Sequence, residues 1–208
     1  MRLVILNNVY PPLEDSRQTA EVLRWVVEHY FTNSNDILRI IDVGSGTGIL
    51  TLTAIESAVG SRGGSVWVIS IDHDINAAVN TKLNLVINHV YDYADVLSTR
   101  TLDAIRQNAS FNIIVSNPPY LPGNWVEDPR IFGGPRGNEV IKQLVNYVCN
   151  GKVDIVVLTQ SSLSNWEETV DLMGTCGYKL VLVKANHYFF EDIITMVFTA
   201  NRFARCEG

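Results

Sequence analysis

No stretch of the chain approaches the ~18 consecutive apolar residues that a membrane-spanning helix needs, so no contact across a bilayer is expected. The opening run Met1-Arg2-Leu3-Val4-Ile5-Leu6 turns polar at Asn7 and Asn8, too soon for the apolar core of a secretory leader. Cysteine is scarce. Cys149, Cys176 and Cys206 are an odd, widely spaced set without a C-x-x-C pair, which excludes the common zinc and dithiol motifs and fits a reduced, intracellular compartment. Basic residues are outnumbered, 16 Lys and Arg against 22 Asp and Glu, for a formal charge of -6. Such a chain has no broad positive field with which to neutralise many phosphates, and duplex nucleic acid is a disfavoured substrate. His29, His73, His89 and His187 are scattered, with no i, i+4 pair and no acidic partner at metal-ligand spacing, so no metal is expected. Internal repeats, linkers and low-complexity tracts are also missing. What is present is 208 residues of 47% hydrophobic composition, enough for one core. We therefore expect a single domain over residues 1–208, soluble and cytoplasmic.

Along the chain, β and α patterns alternate. A helix is predicted from about Arg17 to Phe31, capped by Ser16, because Ala20, Leu23, Val26, Val27 and Tyr30 recur at helical spacing. Ile37 to Val43 is β-branched and nearly continuous in apolar character, as in a parallel strand covered on both faces. Helix Ile49 to Val59, strand Ser65 to Ile71, helix Ile75 to Ile87 and a short third strand near Val90 to Ala94 follow. A further helix is expected around Ser98 to Asn108, then a fourth strand, Phe111 to Ser116. The Gly- and Pro-rich stretch from Leu121 to Asn138 exceeds usual connection lengths, which suggests a functional loop. Helix Glu139 to Cys149, strand Val153 to Thr159 and helix Trp166 to Cys176 complete the alternation. Lys179 to Lys184 and Ile193 to Thr199 leave no room for a helix between them and should form an antiparallel pair.

Three features sit at predicted strand ends. Asp42-Val43-Gly44-Ser45-Gly46-Thr47-Gly48 marks a strand-to-helix turn where a ligand can lie against bare backbone and helix N–H groups. It is not a dinucleotide fingerprint, since position 49 is Ile, nor a phosphate loop, since no Lys-Ser or Lys-Thr follows. Asp72, at the end of the second strand, is placed to accept both hydroxyls of a ribose, with Asp74 the better candidate for capping the next helix. Asp95, with Asp92 as a neighbouring alternative, could accept from an adenine amino group. Together they describe a nucleoside pocket at the carboxyl edge of the sheet.

Asn117-Pro118-Pro119-Tyr120 follows the fourth strand. It brings an amide side chain and a backbone carbonyl to one point on a stiff, donor-poor turn, with Tyr120 as a flat face beside it. Two acceptors suit a planar NH2 group. Combined with the glycine loop, the turn suggests methylation of a nitrogen whose lone pair is delocalised, such as an amide or an aromatic amine.

With these residues in place, the chain resembles the HemK-type glutamine N5-methyltransferases that act on class I peptide-chain release factors, and most of all their short eukaryotic and archaeal branch. Val9-Tyr10-Pro11-Pro12-Leu13-Glu14-Asp15-Ser16 is similar to that branch's Tyr-x-Pro-x-Glu-Asp-Thr segment, with Ser for Thr. Phe132-Gly133-Gly134-Pro135-Arg136-Gly137-Asn138-Glu139-Val140 is similar to its Gly-Gly-x-x-Gly-x-Glu-Val stretch. His73-Asp74-Ile75-Asn76 departs from the family's usual Asn-Pro-Glu after the ribose carboxylate.

The resemblance implies a Rossmann-like class I methyltransferase with a seven-stranded sheet of order 3-2-1-4-5-7-6, strand 7 antiparallel, and S-adenosylmethionine as cofactor. It implies catalytic roles for Asn117, Pro118 and Tyr120, and cofactor contacts from Asp42, Gly44, Gly46, Gly48, Asp72, Asp95, Asn117, Glu14, Asp15 and Ser16. Substrate contacts would come from Tyr10, Pro12, Asn117, Pro118, Pro119 and Tyr120. A small zinc-binding activator subunit would pair along the third-strand edge, Asn88 to Ala94. The competing readings are an N6-adenine methyltransferase of DNA or RNA, which would use the same acceptors on a flipped base, and a catalytically silent cofactor-binding scaffold, which has no need of the acceptor pair.

Overall fold

The computed structural model describes all residues except 32–35, 63–64, 101, 125 and 205–208. Cys206 lies outside the described residues. The strands are β1 (Leu38–Val43), β2 (Val66–Asp72), β3 (Ala94–Ser98), β4 (Ser110–Ser116), β5 (Lys152–Ser161), β6 (Tyr178–Tyr188) and β7 (Glu191–Ala200), and they form one sheet in the order β3-β2-β1-β4-β5-β7-β6. Strands β1 to β5 pair in parallel, while β7 runs antiparallel to both β5 and β6, as the resemblance implied.

Alternation along the central strands explains the two faces. Ile40, Ile113, Val115, Ile155 and Val157 pack on one side with Leu23, Val26 and Val27 of α1 (Glu14–Phe31) and Leu52 and Ile55 of α2 (Ile49–Arg62). Their neighbours Ile41, Val43, Ile114, Val156 and Leu158 face the other side, against Ile141, Leu144 and Val148 of α4 (Glu139–Asn150) and Met173 of α5 (Trp166–Thr175). Helix α3 (Ile75–Ile87) joins the first core through Leu85. Each such fully buried aliphatic side chain contributes about 1.5–3 kcal/mol.

Register decides where a site can form. Val43 pairs with Ile71 on one side and Ser116 on the other, so β1, β2 and β4 end flush. The glycine loop after Val43, the Asp72 carboxylate and the turn beginning at Asn117 therefore emerge together at the carboxyl edge.

Helix α1 is fastened to this sheet by polar groups in a dry layer. Gln18 Nε2 donates to the Lys184 and Ile193 carbonyls at 3.0 and 2.9 Å and to Thr195 Oγ1 at 3.1 Å. Thr19, Thr159 and Thr195 form a hydroxyl chain with steps of 2.6 and 2.8 Å. Buried polar groups linked in this way fix one geometry, and the first turn of α1 is held at the sheet edge.

Three expectations are corrected. The third strand begins at Ala94, where it was expected to end, because Tyr91–Tyr93 forms a short 3-10 turn. Residues 102–108 form turns instead of a helix, with Leu102 alone buried there and too few apolar partners to make a helical face. Ser16 lies inside α1, which starts at Glu14, and does not cap it. In addition, Cys149 and Cys176 are joined as a disulfide with their Cα atoms 5.1 Å apart, against the expectation of reduced thiols. Cys149 in α4 and Cys176, the C-cap of α5, meet where the two helices pack side by side, a proximity that a sequence separation of 27 does not show.

Candidate functional site

A cleft of about 460 Å³ opens at the carboxyl edge, within the range of small-ligand sites. The glycine loop makes its floor. Gly44 and Gly46 have φ of 78° and 54°, and a Cβ on either would meet nothing within 4 Å, so a ligand can reach the backbone directly. The N–H groups of Gly44 and Ser45 both donate to the Ile71 carbonyl, at 2.8 and 3.0 Å, which ties the loop to β2. Gly48 turns away from the cleft and packs on Thr81, whose hydroxyl donates to Ser45 Oγ and the Gly46 carbonyl at 3.0 Å each.

Asp72 lies at the rim of this floor. One carboxylate oxygen accepts the Gly46 N–H at 2.9 Å and the other the Asp74 N–H at 3.0 Å, leaving further lone pairs for hydroxyl donors. Burial raises its pKa, and the two backbone donors pull it back toward the ordinary range. A floor of bare backbone beside a carboxylate with acceptor sites to spare can take a ligand that carries neighbouring hydroxyls.

The opposite wall is the acceptor turn. Asn117 Nδ2 donates to Asp15 Oδ2 at 3.0 Å and to Ser16 Oγ at 3.2 Å, and the Tyr120 hydroxyl donates to the same Asp15 oxygen at 3.2 Å. Because the NH2 end is committed, the Asn117 carbonyl end is set in one orientation. Its Oδ1 is shielded from water and has no hydrogen-bond partner in the protein. Such an acceptor costs about 1–3 kcal/mol until a donor reaches it. Burial, with the nearby Asp15 carboxylate, holds the Tyr120 phenol well above its usual pKa, so it stays a donor. Behind the turn, Gly133 donates its N–H to the Leu121 carbonyl at 2.9 Å, and a side chain on Gly133 would run into the Pro119 carbonyl. Gly137 likewise backs the Tyr120 carbonyl.

Of the residues singled out from sequence, Tyr10, Pro12, Asp15, Ser16, Gly44, Gly46, Asp72 and Asn117 to Tyr120 all line the cleft. Asp15 and Ser16, expected beside the cofactor, are engaged with Asn117. Glu14 is exposed at the helix start and does not line the cleft. Asp95 does not either: the shifted strand puts it opposite Ile69, exposed, three residues before the carboxyl end. Asp42 is fully buried, with Oδ2 accepting from Thr51 N and Oγ1 at 3.1 and 2.7 Å, so it supports the glycine loop from beneath. Sequence reasoning missed Asn8, Arg130, Ile131 and Glu191, all cleft-lining. The length of the 121–138 loop was the available signal for Arg130 and Ile131. Nothing local marks Asn8 or Glu191.

Burial pushes the Asp42 carboxyl up to about 7, its two bonds from Thr51 notwithstanding. A carboxyl whose folded pKa is raised stabilises the fold fully below the unfolded value and loses that contribution as pH climbs through the folded one. The window here runs from about pH 4 to about pH 7, and the loss is on the order of 4 kcal/mol. Asp42→Asn, which cannot ionise, should flatten that fall. Urea unfolding of both proteins at acidic and at mildly alkaline pH measures it, and parallel profiles would contradict the assignment.

Residues 11–131 match the family described as methyltransferase small domain. A Methanocaldococcus jannaschii protein, provisionally named protein N5-glutamine methyltransferase, is 26% identical over 211 residues, 94% of each chain. The release factor glutamine methyltransferase of Aliivibrio fischeri is 32% identical over 123 residues, 59% of this chain and 38% of that longer protein. Among solved structures, the E. cuniculi Mtq2-Trm112 complex, responsible for methylating the translation termination factor eRF1, superposes with a TM-score of 0.66 at 22% identity, covering 92% of this chain and 98% of its own. The match over more than half its length, with the glycine loop and the acceptor turn brought to one edge, shows that the chain belongs to the methyltransferase small domain family.

Proposed function

We propose that this enzyme transfers a methyl group from S-adenosylmethionine to the side-chain amide of the glutamine in the Gly-Gly-Gln motif of a class I peptide-chain release factor. The carrying observation is the locked orientation of Asn117, whose NH2 is held by Asp15 and Ser16 while its Oδ1 has no partner. An amide nitrogen is a poor nucleophile because its lone pair feeds the carbonyl. When bound, S-adenosylmethionine supplies a methyl carbon on a positively charged sulfur that leaves with its bonding pair. Once substrate entry uncovers Asn117 Oδ1, which its neighbours cover in this conformation, it and the Pro118 carbonyl accept the two N–H groups of the substrate amide. They orient the nitrogen and stabilise the positive charge that grows on it. Tyr120, anchored by Asp15, packs beside the planar group. No strong base is needed first, since the proton departs after transfer. The names of the bacterial and archaeal relatives support a glutamine substrate.

A small zinc-binding activator subunit would add itself to the outer side of β3, which among the described residues pairs only with β2. That edge is Ala94–Ser98, not the 88–94 stretch read from sequence. An unpaired edge is a template for an incoming strand.

The test is mass spectrometry of the Gly-Gly-Gln loop of a release factor incubated with the enzyme and S-adenosylmethionine, with DNA and RNA offered in parallel. One methyl group on the glutamine is expected. Label in nucleic acid and none in the protein would replace this reading with the adenine one.

A further inference from the structure

Helix α3 carries asparagine at 80 and 84 and ends on a C-cap asparagine at 88, and all three amides grip residues 2–6. Asn88 Oδ1 accepts the Arg2 N–H at 2.7 Å and its Nδ2 donates to the Arg2 carbonyl at 2.7 Å. Asn84 repeats the exchange with Val4, at 2.8 Å each way. Asn80 accepts the Leu6 N–H at 2.7 Å and donates to the Val4 carbonyl at 2.8 Å. The fit is geometric: four helical residues advance about 6 Å and two extended residues about 6.6 Å, so side-chain amides on one helix stripe match alternate peptide groups of a strand. Asn80 and Asn84 are fully buried. Asn84 Nδ2 also donates to the Thr47 carbonyl, at 2.8 Å, inside the glycine loop. Beyond Leu6 the chain turns through Asn8, whose φ is 68° and whose carbonyl accepts from Arg130, and delivers Asn8, Val9 and Tyr10 to the cleft.

We propose that residues 2–10 are a strap, fastened along α3 by residues 2–6 and walling the cofactor cleft with Asn8 to Tyr10, and that Asn80, Asn84 and Asn88 are positioning residues coupling it to the glycine loop through Asn84 and Thr47. This rests on the cofactor half of the proposed function and not on the glutamine substrate. Coupling of this kind is reciprocal: a seated strap tightens cofactor binding, and bound cofactor protects the strap. The test uses the full chain and S-adenosylhomocysteine as probe. Val4→Pro removes the N–H that Asn84 accepts, at a residue whose side chain is exposed and outside the core. Calorimetry should show binding weakened about tenfold, and Asn88→Ala, at the outer end, should weaken it less. In the wild type, the probe should slow hydrogen exchange at Val4 and Leu6, and in Val4→Pro it should no longer protect Leu6. The midpoint of urea unfolding should fall somewhat, because the buried Asn84 Oδ1 loses its donor, while the variant stays folded under the conditions of the binding measurement, which separates lost affinity from lost fold. Probe affinity within about twofold of wild type in Val4→Pro, with Val4 and Leu6 exchanging alike with and without probe in the wild type, would overturn the strap alone. A wild-type protein that takes up no probe would overturn the reading of the cleft itself.

Discussion

Asn117→Ala is expected to lower the rate of methyl transfer by about 10²–10³, the usual cost of removing a preorganised group aimed at developing charge. Cofactor affinity should stay nearly unchanged if, as we propose, the ribose hydroxyls are accepted by Asp72, on the other side of the cleft. The loss should therefore fall on kcat, whereas Asp72→Ala should raise the Kd for S-adenosylmethionine. Asn117→Asp is the sharper variant. A carboxylate there would face Asp15 and lose the donor that Asp15 and Ser16 now accept, so it should be no better than alanine even though it offers an oxygen. Single-turnover rates at saturating cofactor, with Kd values measured separately, give both numbers. Asn117→Ala weakening cofactor as much as Asp72→Ala does would dissolve this division of labour.

The second large effect is expected one layer back. Asp15→Ala strips the shared acceptor from both Asn117 and Tyr120, leaving two donors without it in a water-poor site. Asn117 is then free to flip, and an NH2 in place of Oδ1 would repel the substrate amide. A fall in kcat of about 10–100-fold is expected, with stability reduced by about 1–3 kcal/mol for the Tyr120 hydroxyl left without its acceptor, while Asn117 keeps Ser16 Oγ. Asp15 is a positioning residue, so a readout beyond rate is needed: the Asn117 side-chain NH2 resonances should shift or broaden in Asp15→Ala. Wild-type kcat with undisturbed resonances would show that the carboxylate does not set the amide. Ser16→Ala, which removes the longer of the two Asn117 contacts, should have the milder effect.

Much of this is legible in the sequence. Helix Ile75 to Ile87 was placed to the residue, since Asp74 caps its start as expected, and β1, β2 and β4 were marked by buried apolar runs that end at Gly, Asp or Asn-Pro. The acceptor turn and the glycine loop were readable because each is contiguous and sits at the end of such a run. β3 was not. It is short and mostly half-exposed, so it lacks the apolar signature, and a four-residue error there carried Asp95 from a presumed strand end to an outward position. The work of Asp15 and Ser16 was hidden for another reason. The Glu-Asp-Ser segment is conspicuous, but its partner lies about a hundred residues away, with separations of 102 and 101 for its two bonds to Asn117. The asparagine stripe on α3 was invisible for the same reason: its partners are 74 to 86 residues off, in a segment with no pattern of its own.

Gly133 and Gly137, pressed against the carbonyls of Pro119 and Tyr120, bear on protein engineering. Grafting Asn-Pro-Pro-Tyr onto the matching strand of another α/β sheet should yield an inert turn, because the recipient would lack both the carboxylate that aims the amide and the side-chain-free loop that lets the peptide planes seat. A transplant would have to carry three segments distant in the chain, residues 10–16, 117–121 and 131–139, as one unit.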